Sequence, residues 1–559
     1  MRIVIVGGVA AGASTAARLR RLNEDAEIII LDKGPHVSFS NCGLPYRLSG
    51  VIANTDDLVL MTPQTLKAQY NLDVRVNSEV VSVSTDDNHV VVSAPNEVYT
   101  LKYDKLVLTP GVKAIVPNIP GLELMPHFTL KTVPDVAEII EHLEVTNPLH
   151  LTVVGGGFIG VEAAENLRDA GYAVTLIEGS NQLLVPLDRE MSKYADSELR
   201  RNGVDIIKNQ MVTELTSDEV ILNSGDVLKT DGVIFAVGVK PDTSFLNTSS
   251  IEIDERGFIA VNDNYQTSDK DVYAGGDAIL IHNSLSNEMM SLALAGPANK
   301  QGRLIADYIS GKKILNKGYI GTSIIKVFNL TLANTGLNEK QLINQQIDFN
   351  YVYAAPFDRV TLMPGASPIF FKLLFERETG KILGGQAVSR GVADKRIDVL
   401  ATAIKAEMNV YDLADLELTY APPYGTGKDA VNKVGYIASN LLEEQFRQVK
   451  FTEVYDLVRT KAQLIDIRSP KVFNREHIAG AINIPMEEIR ERLSEINSDI
   501  PVYVYCHSGQ RSYNITMMLQ SKGFDAYNVA GSHVFTSHYE RAMQNDYPDR
   551  ENILVKGTN

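Results

Sequence analysis

Cysteine is nearly absent. Cys42 and Cys506 are the only two in 559 residues and stand 464 positions apart. So few thiols exclude a disulfide framework, and a reducing compartment would keep both free. Positive charge is short as well: 53 basic against 69 acidic residues leave a net charge of −16. That excludes a nucleic-acid binder, because no basic face is there to neutralise phosphates. An anionic ligand must then be held by a local cluster of Lys, Arg and backbone N–H groups. No run of about 18 apolar residues exists to span a bilayer. The opening MRIVIVGGVAAG has neither a charged leader nor a cleavage site and reads as a strand entering a glycine turn. The expectation is a cytoplasmic protein with no nucleic-acid or membrane partner. What is present is ordinary for a well-packed chain, 44% hydrophobic and 22% charged. Its length calls for three or four domains.

Two glycine turns carry the first chemistry. RIVIVGG is a β-branched strand, AAGASTAARLRRLN an alanine-rich helix, and AEIIILD a second strand ending at Asp32. This is a βαβ unit with an acid placed to hold a ribose hydroxyl. Gly7 and Gly12 fit the dinucleotide fingerprint, but Val9 takes its middle position. The second unit, LTVVGGGFIGVEAAENLRDAGYAVTLIEGS, supplies Gly155, Gly157 and Gly160, then a strand ending at Glu178. Such glycines let a pyrophosphate approach the helix N-terminus, where N–H groups and the dipole favour negative charge. A carboxylate at Glu178 accepts the 2′-hydroxyl of NADH and repels the 2′-phosphate of NADPH, so NADH is expected; basic residues nearby would be the route to NADPH.

A third element, TSDKDVYAGGDA, ends a short strand in Gly275, Gly276 and Asp277. Together these segments resemble the pyridine nucleotide–disulfide oxidoreductases. The resemblance implies that the first unit binds FAD, that the inserted second unit binds NAD(P)H, and that Asp277 meets the ribityl chain. LVLTPG, with Pro110 and Gly111, and IFAVG, ending at Gly238, resemble the two crossover segments between these domains.

The disulfide reductases of this family usually carry C-x4-C; SFSNCGLPY has Cys42 alone. Without a resolving cysteine, Cys42 must take its partner sulfur from outside, as a mixed disulfide, a persulfide or a sulfenic acid. The run resembles the single-cysteine branch, which includes coenzyme A disulfide reductases, NADH oxidases and NADH peroxidases. A free thiol has a pKa of about 8.5, and placement near a helix N-terminus and against the flavin ring is expected to lower that of Cys42. Asn41 is expected to hydrogen-bond it locally. Ser14, Arg18 and Arg21 share one helix face. The resemblance implies that this helix, with Ser38 and Asn41, binds coenzyme A. The segment ELTYAPPYGTGKDAVNKVGYIASN resembles the family's dimerisation domain, which reaches the partner's active site. That implies a homodimer, with Tyr420 as proton donor and Lys428 as phosphate ligand. Such reductases commonly carry a second Tyr before a PG turn. Here Leu362 and Met363 stand there, so weak turnover of coenzyme A disulfide is expected.

Beyond a polar stretch around 444–453, expected as a linker, the pattern changes. QLIDIRSPKVFNREHIAGAINIPM and VYVYCHSGQRSYNITMMLQSKGF resemble the rhodanese family over about 105 residues. Cys506 ends a strand, residues 507–511 wrap around it, and a helix is expected near Ser512. N–H groups converging on Sγ make an anion nest, and Arg511 adds charge. The C-x4-R spacing is sized for one sulfur, whereas cysteine phosphatases use C-x5-R. His507 reads as a loop residue facing solvent.

The expected fold class is α/β. Two Rossmann-like domains (FAD at 1–112 with 240–320, NADH at 113–239) precede an α+β dimerisation domain at 321–443. A C-terminal α/β rhodanese domain follows at 454–559. The expected function is NADH-dependent, FAD-dependent reduction of persulfides or polysulfides, coenzyme A persulfide among them, with the rhodanese delivering sulfane sulfur. Alternatives are a coenzyme A disulfide reductase with an accessory sulfurtransferase, an NADH oxidase or peroxidase, and a redox-sensing sulfur carrier. No metal is expected.

Overall fold

The computed structural model describes residues 1–286 and 288–557. It divides into two compact units: 1–180 with 203–319, and 181–202 with 320 onward.

The first unit holds two parallel five-stranded sheets. One runs Val272–Ala274, Lys105–Leu108, Arg2–Val6, Glu27–Leu31, Asp73–Arg75. Ile3, Ile5, Ile28 and Ile30 are all buried, as continuous β-branched runs are in a parallel sheet covered on both faces. The helix Ala10–Leu22 packs along Ala295–Ile309. The second sheet runs Val204–Lys208, Ala173–Glu178, His150–Val154, Val233–Phe235, His127–Phe128. The two crossover segments pair as an antiparallel ribbon, Val112–Ala114 against Val239–Pro241. Both nucleotide turns lie at the carboxyl ends of their first strands, where open α/β sheets bind ligands.

The second unit pairs an antiparallel sheet with a parallel one. The antiparallel sheet runs Thr322–Val327, Leu330–Gly336, Ile382–Ser389, Phe370–Glu376, Phe349–Ala354. The parallel sheet runs Gln448–Lys450, Ala526–Ala530, Val502–Tyr505, Gln463–Asp466, Ile482–Asn483.

Two segments differ from the sequence reading. Residues 181–202, expected within the NADH domain, group with the second unit. Their helix, Arg189–Arg201, is anchored there: Tyr194 stacks on His538 at 3.7 Å and meets Phe370 at 4.5 Å. The expected linker is folded. Gln448–Lys450 forms the edge strand of the parallel sheet, Gln448 Nε2 donates to Tyr351 O at 2.8 Å, and Phe451 meets Tyr353 at 4.9 Å. Nearby, Asp188, Glu190 and Glu339 converge on the fully buried ammonium of Lys372. Burial opposes that charge, but the carboxylates hold the Lys372 pKa above its usual value. Among the described residues, no helix is long and apolar enough to cross a membrane.

Candidate active sites

The first glycine turn opens on a cavity of about 690 Å³ lined by Gly7, Asp32, Asn41, Pro110, Gly111, Lys131, Gly276 and Asp277. Gly7 has φ +93, and a Cβ there would lie 2.1 Å from Thr109 O; a Cβ on Gly12 would lie 1.9 Å from Gly7 O. Val9, at the fingerprint's middle position, stands at the helix N-cap with a negative φ of −94. Asp32 clamps the turn: Oδ2 accepts Gly8 N–H at 2.8 Å and Oδ1 accepts Gly34 N–H at 2.9 Å. Burial nonetheless pushes its pKa up. Asp277 is likewise raised by burial, and Lys131 Nζ lies 3.6 Å away. Asn41 Oδ1 is buried with no protein partner among the described residues, so it does not hold Cys42 as expected; it is an acceptor on the cavity wall. The close backbone approach, the acid at the strand end and this orphaned oxygen fit an FAD.

Cys42 sits on the 3-10 turn Asn41–Gly43 ahead of the helix Leu44–Leu48 and is exposed. The protein's own groups push its thiol pKa up, whereas the expected lowering drew on the flavin ring as well. Desolvation is the largest cause, and Glu162 and Asp277 add to it against Lys131. The helix is five residues long, too short to assemble a full macrodipole. Glu162 escaped the sequence reading. It lies on Phe158–Asp169, against which the Cys42 helix packs. Burial, helped by Glu165, raises its pKa to about 7. Lys131 was missed too. Both sit far from Cys42 in sequence, and nothing in their local spacing signals the meeting.

On the helix proposed for coenzyme A, Ser14 Oγ donates to Asn299 Oδ1 at 2.5 Å, and Arg18 forks onto Asp307 at 2.8 and 3.0 Å. Both side chains are thus engaged within the protein. Arg21 is exposed, and Ser38 is half-buried at φ 49.

The second turn repeats the first. Gly155 has φ +112, and a Cβ there would meet Ala236 O at 2.3 Å; one on Gly160 would meet Gly155 O at 1.8 Å; one on Gly157 would meet nothing. Glu178 clamps this turn as Asp32 does its own. Oε2 accepts Gly156 N–H and Oε1 accepts Ser180 N–H, both at 2.7 Å. Gly238 stands at φ +120. Open space beside Gly157 and a carboxylate at the strand end fit a pyridine dinucleotide.

In the second unit, Cys506 follows the strand Val502–Tyr505 and is 1% exposed. Gly509 N–H donates to its Sγ at 3.2 Å and Ser512 Oγ lies 3.5 Å away. Burial opposes a thiolate, yet the Ser512 hydroxyl and the N–H groups of Ser512, Gly509 and Ser508 bring its pKa below the usual value. The helix behind the loop begins at Gln510, two residues earlier than expected. Arg511 and His507 are exposed. Beneath the loop, Arg468 is buried in a fork on Asp466 at 2.6 to 3.0 Å. Tyr420 is 54% and Leu362 90% exposed. Lys428 lines a second cavity of about 650 Å³, whose wall includes the rhodanese-loop residues Ser508–Gln510.

Three family models match separate parts of the chain. Residues 1–302 match the family described as pyridine nucleotide-disulphide oxidoreductase. Residues 322–430 match its dimerisation domain, and 450–534 match the rhodanese-like domain. A coenzyme A disulfide reductase of Staphylococcus epidermidis is 33% identical over 440 residues, 78% of this chain and 99% of that one. The structure of reduced Bacillus anthracis CoADR-RHD superposes with a TM-score of 0.94 at 43% identity, covering 97% of this chain and 98% of that chain. An NAD-dependent persulfide reductase from A. fulgidus gives 0.90 at 33% identity, covering 96% and 100%.

Proposed function

The chain belongs to the pyridine nucleotide-disulphide oxidoreductases, and on that premise we propose that it reduces persulfides and polysulfides with NADH, releasing hydrogen sulfide. One observation carries the reading: a lone, exposed Cys42 beside the flavin-sized cavity shares its chain with Cys506 in an anion nest. Bound FAD supplies the two-electron path from NADH to sulfur. The residues do the rest. Asp32 and Asp277 hold the first nucleotide, and Glu178 orders the second turn. Cys42 as thiolate displaces thiol from a persulfide and keeps the sulfane sulfur as Cys42–S–SH. Two electrons and one proton then return the Cys42 thiolate and release H₂S. On Cys506 the nest holds a thiolate and, equally, the persulfide anion that follows it.

The same proposal makes the active unit a homodimer working in the cytoplasm, with Tyr420 supplying the proton and Lys428 and Arg21 meeting an anionic carrier such as coenzyme A. A second reading, coenzyme A disulfide reduction with an accessory sulfurtransferase, is favoured by the staphylococcal relatives. Leu362 and Met363, where such reductases commonly carry a second Tyr, count against it. The test is NADH consumption after adding polysulfide to catalytic enzyme. Many turnovers support the proposal; a single stoichiometric oxidation removes it. Comparing rates with coenzyme A persulfide and coenzyme A disulfide ranks the two readings.

A further inference from the structure

The second cavity is positively charged in a chain that is strongly negative. Arg359, Lys428 and Lys433 line it, and no Asp or Glu is among its described lining residues. Arg359 is paired from behind with the buried Asp358 at 2.9 Å. Among the described residues Lys433 Nζ bonds a hydroxyl, Thr426 Oγ1 at 3.3 Å, with the Asp429 charge acting at longer range, and Lys428 lies over the Tyr436 ring at 5.5 Å. The Asn528 carboxamide oxygen, on the same wall, is buried without a partner among the described residues. Lys428 is exposed, but Lys433 is half-buried with no carboxylate on the cavity wall, which costs solvation free energy unless an anion joins it.

The cavity's position gives that anion a task. Gly509 is part of its wall, and the Gly509 N–H is the donor 3.2 Å from Cys506 Sγ. The cavity wall and the sulfur thus share Gly509 as a neighbour. The volume, about 650 Å³, exceeds what an inorganic anion fills and suits an organic molecule.

Building on the persulfide-reductase reading, we propose that this cavity docks the anionic part of a low-molecular-weight persulfide, so that its sulfane sulfur is presented to Cys506 of the same chain. Lys433 and Lys428 neutralise the carboxylate or phosphate of the carrier. Transfer needs no added electrons: R–S–S⁻ and the Cys506 thiolate give R–S⁻ and Cys506–S–S⁻, with one S–S bond broken and one formed. Lys428, given above to the reductase's carrier, also borders the rhodanese loop of its own chain, which the sequence did not suggest.

The test uses the full chain in a sulfurtransfer assay with cyanide as acceptor, which needs neither NADH nor Cys42. Three donors are compared: glutathione persulfide (carboxylates), coenzyme A persulfide (phosphates) and 2-hydroxyethyl persulfide, whose carrier part is neutral. In Lys433→Gln, kcat/KM should fall about tenfold for one or both anionic donors, stay within twofold for the neutral donor, and recover in Lys433→Arg. Whichever anionic donor loses more identifies the anchoring group. Added salt should slow the anionic donors alone in the unmodified protein, which decides the matter should the variant not fold. An equal fall for all three donors, or none for any, overturns the docking site. Should charge-dependent sulfurtransfer stand while NADH-driven turnover is absent, the cavity survives and the reductase reading falls.

Discussion

The two cysteines are opposite solutions to keeping a sulfur reactive. Cys42 is exposed on a single turn, among groups that push its thiol upward. Cys506 is sealed in a loop whose N–H and hydroxyl donors push its thiol downward despite burial. Solvent exposure alone would rank them the other way. The difference shows that donor geometry outweighs desolvation when three or more donors converge on one sulfur, and that an exposed thiol without such donors needs help from its ligands. In the rhodanese half the loop's own donors suffice.

Replacing each cysteine in turn is the sharpest way to break the comparison. Cys42→Ser should lower NADH-dependent persulfide reduction by about 10³-fold or more, while NADH still reduces the flavin and sulfurtransfer persists. Cys506→Ser should abolish sulfurtransfer yet leave reduction of small persulfides that reach Cys42 directly. If either change silences both assays, the two thiols are not separable and the relay must be redrawn.

Next in size is the proton. Tyr420→Phe should reduce kcat by about 10²-fold with little change in the KM for NADH, measured by steady-state turnover; an unchanged kcat would take Tyr420 out of the mechanism. Glu178→Arg should move the ratio of kcat/KM for NADH over NADPH by about 10- to 100-fold towards NADPH. Part of that change will appear as instability of the turn, because Glu178 also holds Gly156 and Ser180.

The smallest effect is the most diagnostic of the upward shift at Cys42. Glu162 has a pKa of about 7, so below that pH it is neutral and leaves the thiolate unopposed. Above it, its charge disfavours the Cys42 thiolate. Glu162→Gln should therefore move the rise in reductase rate that follows Cys42 deprotonation to lower pH by a few tenths of a pH unit, because that rise lies above 7, where Glu162 is charged. No movement of that rise would mean that another group sets the Cys42 titration.

Much of this was legible in the chain. Gly7, Gly12, Gly155 and Gly160 announced the nucleotide turns, because backbone passes where their side chains would be. Asp32 and Glu178 were placed by simple counting, and the C-x4-R loop gave the nest around Cys506. The misreadings have physical causes. Arg18 was expected at coenzyme A from the family resemblance; helical spacing shows only a shared face and gives no sign of its pairing with Asp307, on a helix nearly 290 positions away. Residues 444–453 read as a linker because they are polar, and polarity does not reveal an edge strand whose partner lies some 80 residues downstream. Glu162 and Lys131 reach Cys42's surroundings only through tertiary packing, for which single-sequence spacing has no sign.

That edge strand makes the rhodanese poor material for dissection. Phe451 and Phe535, from the C-terminal part, pack against Tyr353, Phe370 and Tyr194, while Lys450 reaches Glu339 and Lys193 is paired with Asp546. A chain ended at residue 443 would bring an aromatic patch and half-satisfied buried charges to water, a surface that promotes association. Such a truncated reductase should aggregate, and lost activity in it would report solubility before chemistry. The two halves can be silenced one at a time by point substitution, but they are not modules to be cut apart and assayed in separate tubes.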